Sequence, residues 1–201
     1  MKKINTILIG THNEGKFKEI SFLLSKKIKK ISPNFFKIKS PKETGKNFYE
    51  NSRLKANYFH KKTGLTSISD DSGLVIKCLN GKPGIYSARW AKKYGSFKKA
   101  MEKIIKLVEL KNKDKVKKNV SAEFVCSLSF KCLKKKIITV EGKIKGNISF
   151  KPVGVNGFGY DPIFIPLKKD ITFGQMNKKL KMKMDHRFIA FSKLKKKIKT
   201  L

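Results

Sequence analysis

Apolar and polar positions divide the chain into short alternating segments. Ile4–Ile9 is an apolar-rich run ending at Gly10, the pattern of an inner strand. Lys16–Ile28 carries Ile20, Leu23, Leu24 and Ile28 at helical spacing, so a strand–loop–helix unit opens the chain. Phe35–Ile38 reads as a second short strand, and Asn47–Lys62 as a helix stopped by Gly64. Thr66–Ser69 and Leu74–Leu79 are strand-like runs on either side of an acidic pair, Asp70-Asp71, with Ser72 and Gly73 continuing a tight turn. Ser96 is placed to cap an amphipathic helix marked by Phe97, Met101, Ile104, Ile105 and Val108. Asn112–Lys118 reads as a charged surface loop. Val120–Phe130 alternates as a strand should, and Ile137–Gly142 pairs with it as a hairpin. Gly146–Asp161 reads as a glycine-rich loop, Ile163–Ile165 as a strand ended by Pro166, and a last helix from about Phe188 carries Ile189, Phe191, Leu194 and Ile198 on one stripe. The order predicts an α/β fold in which a mixed sheet is flanked by helices, not a regular parallel array.

Length and composition narrow the class. The 201 residues are expected to form a single domain over residues 1–201, and 39% hydrophobic content with 15 Phe excludes a disordered chain. No apolar run approaches the roughly 18 residues of a membrane helix. Ile4–Gly10 is too short for a signal-peptide core, and a cytoplasmic location is the expectation. Cys78, Cys126 and Cys132 share no metal-type spacing and read as free thiols. The net charge of +35 has two readings, nucleic-acid binding or a solvated lysine surface. Lysines are scattered from end to end, which favours the second and predicts no specific nucleic-acid partner. Arginine occurs only at Arg53, Arg89 and Arg187 among 49 basic residues. Lysine cannot copy a planar five-donor fork, so these three positions carry information.

Four constellations carry chemistry. Thr11-His12-Asn13-Glu14-Gly15-Lys16 lies between a strand and a helix start. Free backbone N–H groups and the positive helix end face an anion there, Gly15 permits close approach, and Lys16 adds a point charge. The spacing is not that of a Walker A loop. Asp70-Asp71 places two acids side by side in a chain with only 14, which suits a magnesium ion or a water to be activated. Phe158, flanked by Gly157 and Gly159 and followed by Tyr160 and Asp161, can offer a ring face to a base. Lys181, His186 and Arg187 place donors ahead of the last helix. Donor-rich walls accept a purine with a 6-keto group and disfavour adenine, whose amino group is itself a donor. Each constellation also has a bland alternative: a polar turn, a solvated acid turn, a core aromatic, a lysine-rich tail.

Taken together, the tracts T-H-N-E-G-K, F-Y-E-N-S-R-L-K-A, S-D-D-S-G-L, G-K-P-G-I-Y-S-A-R-W-A, G-F-G-Y-D-P-I-F and D-H-R resemble the inosine triphosphate pyrophosphatase family across nearly the full length. The resemblance implies an elongated α/β fold with a long, twisted mixed sheet, two lobes and the site in the cleft between them. It implies a homodimer and Mg²⁺-dependent hydrolysis of ITP, XTP and dITP to the monophosphate and pyrophosphate. Carried over by position, Thr11, His12, Asn13, Glu14, Gly15 and Lys16 hold phosphates and sugar, and Lys55 touches the phosphates. Asp71 is the general base and metal ligand, Asp70 supports it, and Ser72 contacts substrate. Phe158, Gly159, Tyr160, Asp161, Lys181, His186 and Arg187 form the base pocket.

Three positions depart from the family pattern. Lys42 stands where an acid serves as metal ligand, leaving Glu43 as the substitute second ligand. Asp185 replaces a serine before His186, where it either pairs with Arg187 and orients it or disturbs base recognition, and Gln175 replaces an acid. Two other readings stand beside this one: a nucleic-acid-binding protein, and a related pyrophosphatase acting on modified pyrimidine or other triphosphates.

Overall fold

A computed structural model describes residues 4–111, 120–133 and 135–198. The predicted loop Asn112–Lys118 lies outside them. Among the described residues, six strands form one mixed sheet: β1 Thr6–Ile9, β2 Lys29–Ile31, β3 Ser67–Ile76, β4 Ser121–Lys131, β5 Ile138–Ile148 and β6 Phe164–Pro166, in the order β2-β1-β3-β4-β5-β6. β1 is parallel to both β2 and β3, whereas β5 and β6 are antiparallel. The helices are α1 Glu14–Leu23, α2 Phe48–Thr63, α3 Ser87–Lys93, α4 Phe97–Lys111, α5 Lys178–Lys181 and α6 His186–Lys197.

The chain divides into two compact units. The first comprises residues 1–71, 126–142 and 186–201; the second comprises residues 72–125 and 143–185. In the first, Ile7, Ile9 and Ile68 from β1 and β3 pack with Ile20 of α1, with Leu24 just past its end, and with Ala190, Phe191 and Leu194 of α6. Of the stripe read from the last helix, Phe191, Leu194 and Ile198 are core residues, whereas Ile189 is only half-buried. In the second, the predicted stripe of α4 is buried as Met101, Ile104, Ile105 and Val108, against Leu74, Phe124, Phe164 and Phe173. Burial of such stripes removes apolar area from water at about 25 cal/mol per Å².

Local signals set the helix ends. Asn13 Oδ1 accepts the Lys16 N–H at 3.0 Å, and Asn47 Oδ1 accepts the Glu50 N–H at 2.8 Å. Glu50 reaches back to the Lys46 N–H, completing a reciprocal cap. Gly64 ends α2 in the left-handed region at φ 68°.

Four expectations are corrected. The second strand is Lys29–Ile31, not Phe35–Ile38. Pro33 fixes φ and starts a 3-10 turn through Phe36, leaving Phe35 72% exposed. Asp70 to Gly73 form no turn: they lie inside the continuous ten-residue β3. β5 runs on to Ile148 through Gly142 and Gly146, so Gly146 begins no loop. Those glycines mark close backbone approach within a strand, by Ala190 at Gly142 and by Ile165 at Gly146. Finally, α1 starts at Glu14, so Gly15 and Lys16 are first-turn helical residues. α3 was not anticipated from the sequence.

Candidate active site

Within the first unit, β1 delivers the chain through Gly10 into the turn Thr11–Asn13. Thr11 Oγ1 accepts the Asn13 N–H at 3.1 Å, and Asn13 caps α1. The early N–H groups of a helix have no intrahelical acceptor, so this turn presents donors and a positive helix end. His12 is held outward: Nε2 donates to the Ile38 carbonyl at 2.9 Å, and Nδ1 meets Ser40 Oγ at 2.7 Å. Glu14 pairs on the surface with Lys18. Thr11 to Glu14, with Phe17, Lys18, Ser32 and Asn34, line a surface pocket.

The acid pair sits mid-strand, and strand alternation decides what each acid meets. Successive side chains point to opposite faces, so neighbouring carboxylates go to different partners. Asp70 is fully buried and its Oδ2 is shared by two cations, Lys16 Nζ at 3.3 Å and Arg187 Nε at 3.2 Å. Arg187 also donates from Nη1 to Glu19 Oε2 at 2.8 Å and stands 3.1 Å from His186 Nε2. Asp71 faces α2 instead. Its Oδ1 is 3.4 Å from Lys55 Nζ, and its Oδ2 accepts from Asn51 Nδ2 at 3.1 Å. Lys55 Nζ is also 2.6 Å from Glu43 Oε1. Glu43 and Asp71 thus direct oxygens at one cationic centre.

Burial pushes the Asp71 carboxyl above the ordinary carboxylate range, against the pull of Lys55 and Lys16, with Glu43 and Asp70 adding to the rise. Burial acts to lower Lys55, yet Asp71, Asp70 and Glu43 together outweigh it and hold the ammonium above its usual value.

Ser72 follows in β3 as the first residue of the second unit. In that unit Phe158, Asp161 and Lys181 form a compact cluster. Asp161 Oδ2 accepts from Lys181 Nζ at 2.7 Å and from the Phe158 N–H at 2.8 Å. The Lys181 ammonium lies 4.9 Å from the Phe158 ring centroid. Gly157 has φ 75°, and a Cβ there would overlap Asp161 Oδ2, so only glycine closes this turn. Gly159 takes φ 67° in the same loop. Tyr160 is turned into the core, its hydroxyl donating to the Ser87 carbonyl at 2.9 Å, and burial raises its pKa. Asp185 is buried and its N–H donates to the Lys181 carbonyl at 3.0 Å.

Two residues outside the predicted set belong to the network: Glu19, a buried acid on Arg187, and Asn51, a fully buried amide on Asp71. Glu19 lies three residues past Lys16 on α1, so helical spacing brings it to the same side. Asn51 stands four residues before Lys55 in a tract already matched to the family.

Among the described residues no cluster of three or more His, Cys, Asp or Glu could hold a metal ion by itself. Two carboxylates directed at one ammonium do fit a divalent ion that completes its shell with water and substrate phosphates, as Mg²⁺ usually does.

Residues 7–197 match the model of the Ham1 family. This chain belongs to the Ham1 family. A Ham1 relative from Dictyoglomus thermophilum, a dITP/XTP pyrophosphatase, is 44% identical over 94% of this chain and 92% of its own length. Another, the dITP/XTP pyrophosphatase of Haemophilus influenzae, is 40% identical over 96% of this chain and 98% of its own. The solved HAM1 protein from Coxiella burnetii superposes with a TM-score of 0.85 at 31% identity, covering 98% of this chain and all of that one. The Ham1 fold is accordingly the α/β fold described above.

Proposed function

We propose that this chain hydrolyses the deaminated purine nucleoside triphosphates ITP, XTP and dITP to the monophosphate and pyrophosphate, removing them from the nucleotide pool before they enter DNA or RNA. The observation that carries the reading is the convergence, within the first unit, of Glu43 and Asp71 on the Lys55 ammonium, beside an acid, Asp70, paired with Lys16 of the opening turn. Relatives bearing the name dITP/XTP pyrophosphatase supply the substrate class.

Asp71 and Glu43 are the proposed ligands of a divalent cation, with Mg²⁺ as the natural ion. When bound, such a cation would neutralise charge at the α-phosphate of the transferring nucleotidyl group and acidify a bound water. The chain's own residues do the rest. Asp71 takes the proton of the attacking water as the new bond forms at the α-phosphorus. The bond to the bridging oxygen breaks and pyrophosphate leaves with the electron pair. Asp71 suits the role better than Asp70, because burial raises its basicity, whereas Asp70 is fixed between two cations. Lys16, Lys55 and the N–H groups of the first turn of α1 offset charge building on the leaving pyrophosphate. Thr11, His12, Asn13, Glu14 and Gly15 are assigned to phosphates and sugar, and Ser72 to substrate contact. Phe158 offers its ring to the base, Gly159, Tyr160 and Asp161 shape the loop that carries it, and Lys181 supplies a donor. His186 and Arg187 are assigned to donors toward substrate. A homodimer in the cytoplasm is part of the same reading, and light scattering of the purified chain tests the dimer. No helix among the described residues is long and apolar enough to cross a membrane.

A substrate panel with pyrophosphate detection tests the proposal. Turnover of ITP, XTP and dITP well above ATP and GTP is expected. Turnover confined to modified pyrimidine triphosphates, or salt-dependent strand binding without turnover, overturns it.

A further inference from the structure

We propose that Asn51 is a positioning residue that fixes Glu43 and Asp71 relative to one another as a preformed pair of cation ligands. Its side chain is fully buried in α2 and uses both ends of the amide. Nδ2 donates to Asp71 Oδ2 at 3.1 Å, and Oδ1 accepts the Gly45 N–H at 2.8 Å. A carboxylate can only accept and a backbone N–H can only donate, so the two bonds settle which end of the amide is which.

The geometry gives this one side chain a double hold. On β3 it engages Oδ2 of Asp71, while Oδ1 is the oxygen facing Lys55. On the loop ahead of α2 it anchors Gly45, two residues after Glu43, whose Oε1 faces the same Lys55 ammonium at 2.6 Å. Gly45 is suited to the contact: a Cβ built there would stand 2.6 Å from Asn51 Oδ1 and 2.7 Å from Glu50 Cβ. Lys55 lies four residues on, so one face of α2 carries both the amide that orients the acids and the ammonium they enclose. A buried primary amide that loses either partner leaves a desolvated polar group, which makes the clamp stiff. Asn51 touches neither substrate nor cation in this scheme. It acts through the two carboxylates.

The inference rests on reading Asp71 and Glu43 as cation ligands, and the experiment separates the two. Mn²⁺ binding to the full chain is titrated by electron paramagnetic resonance for the parent, Glu43→Gln, Asp71→Asn, Asn51→Ala and Gly45→Ala. Thermal melts confirm folding. Gly45→Ala disturbs the clamp from the loop end and leaves Asn51 itself in place, so it carries the test should Asn51→Ala not fold. Both clamp variants are expected to weaken Mn²⁺ by about 10- to 100-fold, the usual effect of removing a group that orients a ligand. In steady state the concentration of Mg²⁺ needed for half-maximal rate should rise more than kcat falls at saturating Mg²⁺. Parent-like Mn²⁺ affinity in both clamp variants, with loss in Glu43→Gln and Asp71→Asn, overturns the role of Asn51 and leaves the ligand reading standing. Parent-like affinity in Glu43→Gln and Asp71→Asn overturns the ligand reading and this inference with it.

Discussion

The ammonium of Lys16, in the first turn of α1, stands 3.3 Å from Oδ2 of Asp70, in the middle of β3. The same oxygen is 3.2 Å from Arg187 Nε, at the start of α6. Three elements far apart in sequence are thereby tied at one carboxylate oxygen. The tie places Lys16 close enough to Asp71 to pull on its titration as well.

Arg187 is the keystone of that tie, since Glu19 and Asp70 are both buried acids on its guanidinium. Arg187→Ala leaves two desolvated carboxylates without it and is expected to lower stability by about 3–5 kcal/mol in denaturant unfolding. Glu19→Gln keeps the shape and an acceptor, and is expected to lower it by roughly 1–3 kcal/mol. A Glu19→Gln variant as damaged as Arg187→Ala would contradict this ordering.

Asp71 binds its proton more readily in the folded state than in the unfolded chain, because burial raises its pKa. Stability is therefore lost as pH climbs from the ordinary carboxylate range through the raised value, and the loss persists above it. Asp71→Asn removes the buried charge. In EDTA it should match the parent in acid and exceed the parent in stability at neutral pH. Urea melts from pH 4 to pH 8 check the sign; a less stable variant at neutral pH would contradict it.

Lys55 behaves oppositely. Its folded pKa lies above the ordinary 10.5, so its ionised form stabilises the fold. That contribution is fully present below the unfolded pKa and is lost as pH rises through the folded one. Lys55→Gln should be less stable than the parent at pH 8, and the gap should close in strongly alkaline melts. A gap that widens with pH would contradict the assignment.

Gly157 sits at φ 75° with its Cα against Asp161 Oδ2, the oxygen that also holds Lys181 and the Phe158 N–H. Gly157→Ala is expected to cost about 1–3 kcal/mol and to raise KM for ITP more than it lowers kcat. A variant with parent-like KM would separate this loop from substrate binding.

Much of this arrangement was legible in the sequence. Helical spacing gave the buried faces of α4 and α6, Asn47 and Gly64 bounded α2, and the family tracts led to Lys16, Lys55, Asp70 and Asp71. The acid pair misled because carboxylates disfavour strands, so Asp70 to Gly73 read as a break when tertiary partners hold them in β3. Gly142 and Gly146 misled likewise: their lack of a side chain answers a neighbouring backbone, not a turn. Glu19 meets Arg187 168 residues away, and Asn51 joins Gly45, six residues back, to Asp71, 20 residues on, so neighbouring sequence announced neither role. Asn51 was visible only as part of a matched tract, without a role.

Asp71 is the proposed group on which the chemistry turns, and hydrolysis of ITP by Asp71→Asn at saturating Mg²⁺, followed by pyrophosphate release, tests it. A loss in kcat of at least about 1,000-fold is expected in a folded variant. Turnover near the parent rate would contradict it.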